Sequence, residues 1–323
     1  VLRHLQKVAV TGASYGDFLQ MAQHLRLPAD FFRRRERLRQ VYDALHGNGR
    51  GLTFFAAAIR GMDLEEETVF LAELAQTSAD IQVDMALEAI IGQLDRDALA
   101  LLQRLPVYAV PVPREGVIKL GSDLPQPDAL LARLLAVSLV EPQINHAWQV
   151  IEYQCSPLVA AWLQAQGLGP DTPALYRAAA GYLHYLYENE RRTLFQAIVV
   201  HQAWRSAGEK DRADRFALDT IVGRFSLQGL FRTLLDKWLP DICNSPDPQT
   251  RAEALGQTGK QHVHVGNYAT ALRYLEQSLA ISQEIGDIAG LCATLFNMGH
   301  MHCLLYTSPS PRDRTRSRMP SSA

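Results

Sequence analysis

Hydrophobic and polar positions alternate with a helical period in the first part of the chain. Apolar residues recur at three- and four-residue spacing over 17–27 and 31–45, which predicts two helices separated by Pro28. Leu52 begins a third apolar segment of helical character. The acidic run that starts at Asp63 predicts the beginning of a fourth helix, because a helix N-terminus favours negative charge.

The pattern changes over residues 84–166, where short helices precede two β-prone runs. The predicted helices cover 84–94, 96–105, 114–120, 127–135 and 158–163. The β-prone runs, 139–141 and 148–153, flank Pro142-Gln-Ile-Asn145 and predict a small β-wing. The segment 107–113 is too rich in proline for a central strand. Three helices followed by a two-stranded wing is the element order of a winged helix.

From residue 171 to 241 the pattern is helical throughout. The predicted helices are 173–187, 190–206, 210–223 and 227–238. Glycine- and proline-rich segments at 167–170 and 244–248 mark the boundaries of this region.

The last part of the chain contains an internal repeat. Ala252-Glu-Ala-Leu-Gly-Gln-Thr-Gly259 is followed 40 residues later by Cys292-Ala-Thr-Leu-Phe-Asn-Met-Gly299. The pattern resembles a long tetratricopeptide repeat, a helix-turn-helix unit that buries its apolar face by stacking on its neighbours. We expect helices 252–264 and 268–284 to pack antiparallel and helix 289–302 to lie against the second. The predicted packing residues are Leu255, Gly259, Gly266, Tyr268, Ala271, Leu275, Leu295 and Gly299.

The third repeat helix is expected to keep an uncovered apolar face, with Leu295, Met298 and His302 as candidates, and hence to self-associate. Residues 303–323 resemble the translation of a sequencing adapter, and we expect this tail to be disordered and without effect on stability. The start of the protein is expected upstream of Val1. The tail carries four arginines and one aspartate, so its removal changes the formal net charge from −2 to −5.

Charge and composition exclude several classes of function. A mildly acidic chain with well-mixed charges argues against broad binding to nucleic acid. In the predicted winged helix, only Arg133 is available on helix 127–136 for reading bases, and the wing 142–149 has no lysine or arginine. There is no run of 18 apolar residues, and we expect no membrane partner. The cysteines form no metal-ligand or CxxC spacing, which indicates a reducing compartment and cytoplasmic localisation.

The segment Lys7–Gly16 resembles the opening strand and glycine turn of short-chain dehydrogenases. That fingerprint needs a further glycine, where this chain has Phe18, and no alternation of strands and helices follows. We therefore set the dehydrogenase hypothesis aside and predict neither a catalytic residue nor a metal site.

A wider resemblance links the segments. The stretch from Gly16 to Phe55, with Gly47-Asn-Gly-Arg-Gly51, is similar to the helical subdomain after the nucleotide-binding core of NB-ARC-like signal-transduction ATPases with numerous domains (STAND). In that family a Gly-x-Pro turn packs near adenine, and the histidine of Met-His-Asp contacts the β-phosphate of ADP. The resemblance implies nucleotide-proximal positions at Gly47, Asn48, Gly49 and Ser156.

The chain contains no Gly-x-x-x-x-Gly-Lys-Ser/Thr phosphate loop, so the resemblance implies an ATPase core upstream of Val1. We predict a mainly α protein in which the full-length form, but not this fragment, uses ATP or ADP. The predicted function is regulatory sensing, with a protein or peptide bound on the repeats and the winged helix as relay. The alternatives are a non-enzymatic repeat scaffold and a winged-helix transcriptional regulator. The predicted domains are a helical subdomain (1–83), a winged helix (84–166), a helical linker (167–243), repeats (249–302) and the tail (303–323).

Overall fold

A computed structural model describes residues 12–76, 79–170 and 172–307 of the chain. It divides the chain into two compact units, Val1–Leu175 and Tyr176–Ala323, and is mainly α-helical with one three-stranded antiparallel sheet among the described residues. The predicted mainly α fold is confirmed. The dehydrogenase-like residues Val8–Val10 lie outside the described residues.

Six helices form the first half of unit 1. They are α1 (Tyr15–His24), α2 (Ala29–Arg33), α3 (Arg35–Ala44), α4 (Gly49–Ala58), α5 (Leu64–Gln76) and α6 (Ala79–Gly92), with a 3₁₀ turn at Ile59–Gly61. Their core is aromatic, and Phe18, Phe31, Phe54 and Phe55 are fully buried. The α5 helix begins as its sequence predicts, because the Asp63 carboxylate accepts the Glu65 and Glu66 N–H groups at 2.9 Å.

The single helix predicted over 31–45 was wrong, since the structure breaks it at Arg34. Arg34 has φ −106° and ψ 85°, outside the helical region. The break is accompanied by two contacts of Arg37, which reaches Asp30 at 2.9 Å and the buried Glu67 at 2.7 Å. Phe31 is meanwhile completely buried on the other side of the break.

The second half of unit 1 contains the sheet. Its elements are α7 (Arg96–Arg104), β1 (Val112–Pro113), α8 (Arg114–Leu120), α9 (Pro127–Ala136), β2 (Val140–Asn145), β3 (Val150–Cys155) and α10 (Pro157–Ala165). The strand order is β1-β3-β2, with Val112 and Pro142 both opposite Tyr153. The prediction of a two-stranded wing was therefore incomplete. The missed strand β1 and the strand β2 both carry proline, which an edge strand tolerates because one side needs no ladder hydrogen bond.

Unit 2 is helical throughout its described residues. Its α-helices are α11 (Pro173–Asn189, which starts at the end of unit 1), α12 (Leu194–Ser206), α13 (Lys210–Ala217), α14 (Gly223–Leu227), α15 (Phe231–Thr233), α16 (Leu239–Ile242), α17 (Pro248–His264), α18 (Tyr268–Ile285) and α19 (Ile288–Thr307). Two π-helical segments, Leu218–Val222 and Leu234–Trp238, interrupt the helices predicted at 210–223 and 227–238. Gly229, at φ +73°, makes the turn between them.

The helix α19 runs further than predicted. Residues Cys303–Thr307 were assigned to a disordered tail, but they continue α19, because no glycine or proline interrupts the helix before Pro309. The 18-residue window Ile288–Leu305 of α19 is long and apolar enough to cross a membrane by length and composition alone, with a mean hydropathy of 1.3. Met301 of the same helix is buried against Val263 and Ala271, as in a packed repeat helix.

Candidate functional site

The helices α17 and α18 form an antiparallel hairpin. Gly259 has no side chain to separate the helices, and a Cβ added there would lie 2.7 Å from Leu275 Cγ and 3.1 Å from the Ala271 carbonyl oxygen. Near the other end of the crossing, the Ser278 hydroxyl donates to the Ala252 carbonyl at 2.7 Å. Gly259 thus lies beside Ala271 and Leu275, and Ala252 lies beside Ser278, so the two helices run antiparallel.

The turn between these helices is built from local hydrogen bonds. Gly266 has φ +82°, and its N–H donates to the Val263 carbonyl at 3.0 Å, while the Asn267 N–H donates to the His262 carbonyl at 2.9 Å. This is a Schellman end, whose left-handed position favours glycine. Tyr268 then begins α18. Both residues were predicted to pack between the repeat helices. Tyr268 packs against Val263, Ala271 and Met301, whereas a Cβ added at Gly266 would meet nothing within 4 Å among the described residues, so Gly266 serves the turn.

The corresponding residues of α19 are in different surroundings. Leu255 is 7% exposed, whereas Leu295 is 54% exposed, and an added Cβ at Gly299 would meet no described atom within 4 Å. Of the other residues proposed for this face, His302 is exposed and Met298 is half-buried. The sequence analysis missed Phe296, which is 75% exposed. We call Cys292, Leu295, Phe296 and Gly299 the α19 face.

A groove runs along α17 and α19. Two cavities of about 290 and 190 Å³ share Asn297 and lie end to end in it. We define the α17/α19 groove by the lining of these two cavities, which on α17 extends from Gln249 to His264 and on α19 includes Ala293, Asn297 and His300. Gln257 and Asn297 occupy equivalent positions of the internal repeat, so each repeat presents one amide side chain to the groove.

A separate cavity of about 650 Å³ lies between α16, α17 and α18. Several of its lining side chains already pair with one another. Cys243 Sγ lies 3.3 Å from Thr258 Oγ1, and the His262 ring stacks on Tyr274 with centroids 5.4 Å apart. Burial lowers the pKa of His262 and raises the pKa of the Cys243 thiol. The stacked His262 ring therefore packs between the helices α17 and α18.

The residues implied to be near a nucleotide lie in unit 1. Asn48 caps α4, and its side-chain oxygen accepts the Arg50 and Gly51 N–H groups at 3.0 and 3.1 Å. Gly47 has φ +71° and its carbonyl accepts the Ala13 N–H at 2.8 Å, while Gly49 lies against the Met21 side chain. These contacts explain the glycine-rich turn locally, as a tightly packed helix start.

Arg50 joins this turn to the sheet region of unit 1. Its guanidinium donates to Ser156 Oγ at 2.7 Å and forms an ion pair with Glu141. Ser156 is 1% exposed and directly precedes α10. The Arg50 side chain therefore connects Ser156 to the start of α4, where the Gly47–Gly49 turn lies. Burial lowers the pKa of Arg50. The sequence analysis missed Arg50 and Glu141, because a pair so far apart in the chain leaves no local pattern.

Two arginines of the predicted winged-helix region are paired with carboxylates. Arg133, the basic residue considered for base contacts, forms an ion pair with Asp95 and donates to the Gln93 carbonyl at 3.3 Å. Arg114 likewise pairs with Asp128 on α9. Such pairing opposes phosphate binding, which needs uncompensated positive charge.

No family model and no curated protein matches the chain. Among solved structures it is similar to the signal transduction ATPase with numerous domains (STAND) protein with a tetratricopeptide repeat sensor from Pyrococcus horikoshii. The TM-score is 0.53 and the sequence identity 14%; the similarity covers 95% of this chain and 46% of that protein. The chain thus spans about half the length of that protein. At this identity the likeness shows the fold, which is of the STAND and tetratricopeptide-sensor kind.

Proposed function

We propose that this chain is the regulatory, partner-sensing part of a signal-transduction ATPase. A protein or peptide binds to the repeats, and the effect reaches an ATPase core through the winged-helix-like region 84–166. The observation that carries this proposal is the structural similarity to a STAND protein with a tetratricopeptide sensor over 95% of the chain. The antiparallel α17–α18 hairpin and its internal repeat in α19 support the sensor part of the proposal.

The α17/α19 groove is the docking site in this proposal. Side-chain amides both donate and accept hydrogen bonds, so Gln257 and Asn297 suit the backbone of an extended peptide. From Gln249 to His264 the groove follows α17 for about 22 Å, at a rise of about 1.5 Å per residue. That length matches about six or seven residues of extended chain at about 3.3 Å each.

The proposal assigns no nucleotide chemistry to this fragment. Glu141 and Ser156 already satisfy the Arg50 guanidinium between the starts of α4 and α10. An ADP phosphate would have to displace the Glu141 carboxylate from the same guanidinium. Nucleotide binding therefore belongs to the full-length protein, through a phosphate loop that this sequence does not contain.

Peptide selection on the purified chain tests the sensor function. A displayed library of random peptides is panned against the chain, and the selected peptides are measured on Asn297→Trp, which fills the groove. The matched control is Glu276→Trp, on an exposed position of α18 outside the groove. We expect Asn297→Trp to weaken binding at least tenfold and Glu276→Trp to leave it unchanged. Peptides that bind both variants equally would refute docking in the groove.

The ATPase assignment has its own test. Reading the genomic frame upstream of Val1 should reveal a Gly-x-x-x-x-Gly-Lys-Ser/Thr loop, and an uninterrupted frame without one would refute it.

A further inference from the structure

One end of the α17/α19 groove has a chemistry of its own. The cavity of about 290 Å³ is bounded by α13, α17, the end of α18 and α19, and small residues such as Gly256 and Gly290 leave it open. Ser282 lines it and is fully buried, yet its hydroxyl has no hydrogen-bond partner within the described residues. Leaving a buried hydroxyl unpaired is destabilising, so the site favours a ligand that pairs with it.

The neighbouring hydroxyl groups are already satisfied. Ser278 Oγ donates to the Ala252 carbonyl at 2.7 Å and lies 3.0 Å from Thr294 Oγ1. Of the three hydroxyl groups that line the cavity, those of Ser278 and Thr294 are hydrogen-bonded and that of Ser282 is not, within the described residues. Its lone pairs make it an acceptor for a donor group that enters the cavity.

The charges around the cavity are predominantly negative. Glu253 and Asp287 line it, and among the described lining residues the one cation is Arg215. Arg215 lies 3.1 Å from Glu253 and also 3.7 Å from Asp219, so one guanidinium faces the carboxylates of two helices. The surplus of carboxylates produces a local potential that attracts a cation.

The pKa of Glu253 is shifted by these neighbouring charges and by burial. Burial raises the pKa of Glu253, Arg215 opposes that rise, and Asp219 and Asp287 add to it. A second cation beside Glu253 would relieve the repulsion, and Arg215 would keep Asp219 as its own partner.

We propose that this cavity binds the cationic end of a basic side chain, with the ammonium group donating to Glu253, Ser282 and Asp287. The inference rests on the proposed function, because it names the partner as a peptide with a lysine-type residue at this end of the groove. An ammonium group has three donors and no acceptor, which matches two carboxylates and one unpaired hydroxyl oxygen.

The test is NMR titration of the whole chain with small probes. Nα-acetyl-lysine methylamide, whose side-chain ammonium group is free, should shift the amide signals of Gly256, Ser282 and Gly290 saturably. Its norleucine analogue, which lacks the charge, and its glutamate analogue, which reverses it, should not. n-Butylammonium distinguishes a free amine from a peptide side chain: the proposal expects it to bind at least threefold more weakly than the lysine probe. Equal binding of the norleucine probe, or of butylammonium, would overturn the proposal.

Two variants assign the contacts. Glu253→Gln should raise the dissociation constant of the lysine probe at least fivefold, whereas Glu276→Gln, an equal charge change on an exposed part of α18, should leave it unchanged. Ser282→Ala should weaken the probe two- to fivefold and also raise the melting temperature, because it removes an unpaired buried hydroxyl. A Ser282→Ala variant that melts lower, or Glu253→Gln binding that is unchanged, would contradict the assignment.

This result can be separated from that of the sensor test. Peptides that need Asn297 but show no preference for a basic residue would refute only the cation site. A lysine probe that binds, together with the absence of any groove-dependent peptide, would refute only the sensor function.

Discussion

Two glycines 40 residues apart provide a matched test of the repeat packing. Both Gly259 and Gly299 lie inside long helices, α17 and α19. A Cβ at Gly259 would lie 2.7 and 2.8 Å from the Leu275 side chain and 3.1 Å from a backbone oxygen of Ala271, whereas a Cβ at Gly299 would meet nothing within 4 Å in the part of the chain that the structure describes. The same substitution should therefore have opposite effects at the two positions.

The expected magnitudes follow from two opposing effects. Replacing glycine by alanine in a helix interior stabilises by about 1 kcal/mol, because the unfolded chain loses conformational freedom. At Gly299 this effect acts alone, so Gly299→Ala should stabilise by about 0.5–1 kcal/mol. At Gly259 the added methyl group overpacks a buried crossing, at a cost of about 1–3 kcal/mol, and Leu275 is fully buried. Gly259→Ala should therefore destabilise by up to about 2 kcal/mol.

Urea unfolding followed by far-ultraviolet circular dichroism measures both variants. Gly181→Ala on α11 is the control for helix propensity, since a Cβ there also meets none of the described residues within 4 Å. The reasoning is refuted if Gly259→Ala stabilises as much as Gly181→Ala. A Gly299→Ala variant that destabilises would show that another helix covers α19 in solution.

Three further predictions concern binding, the tail and pH. Calorimetry with Mg-ATP should give no saturable heat, and micromolar binding that is lost on substitution of Gly47 or Asn48 would contradict this. Deleting 308–323 should leave the melting temperature unchanged within error, and a clear decrease would show that the tail packs natively. Acidification from pH 7.5 to 5.5 should lower the melting temperature of unit 2, because burial lowers the pKa of four histidines in this unit. The variant His262→Phe should reduce this loss. These histidines bind protons more readily in the unfolded chain than in the folded one, so their contribution to folding stability is complete above about pH 6.5 and is lost as the pH falls. A melting temperature that stays constant or rises on acidification would contradict this prediction. The histidines are His184, His201, His262 and His264.

Helical periodicity predicted most of the fold because most of the chain consists of amphipathic helices with clear ends. The helix 114–120 was predicted with the bounds that α8 has, and α17 ends at a glycine turn that the sequence marks. The strand β1 escaped prediction, because two residues are too few to show a period of two. The break at Arg34 coincides with the ion pairs of Arg37 to Asp30 and Glu67, and periodicity does not encode such contacts.

The candidate sites were less accessible from the sequence. The repeat pattern located the hairpin crossing at Gly259 and Ala271, because close approach of helices needs small residues. Arg50 and Glu141 meet across a long separation in the chain, and the unpaired hydroxyl of Ser282 results from what its neighbours bind. Such features are products of tertiary packing, so a single sequence carries no local signal for them.

The last prediction concerns the α19 face. Its apolar members Leu295 and Phe296 are 54% and 75% exposed, whereas Leu255, the equivalent of Leu295 in α17, is 7% exposed. Fully burying one such side chain contributes about 1.5–3 kcal/mol. Two copies of the chain bring together four of these side chains, against an association cost of about 4–15 kcal/mol.

The face should therefore support weak, concentration-dependent self-association through Leu295 and Phe296. Sedimentation velocity over a concentration series should show it, and Leu295→Gln or Phe296→Gln should reduce it. Met298 is half-buried, so Met298→Gln should act less on association than on stability. Val69→Gln, at an apolar position of unit 1 that is 53% exposed, is the control. A monomer at the highest concentration, or an equal effect of Val69→Gln, would show that the exposed residues of α19 do not form an interface between copies.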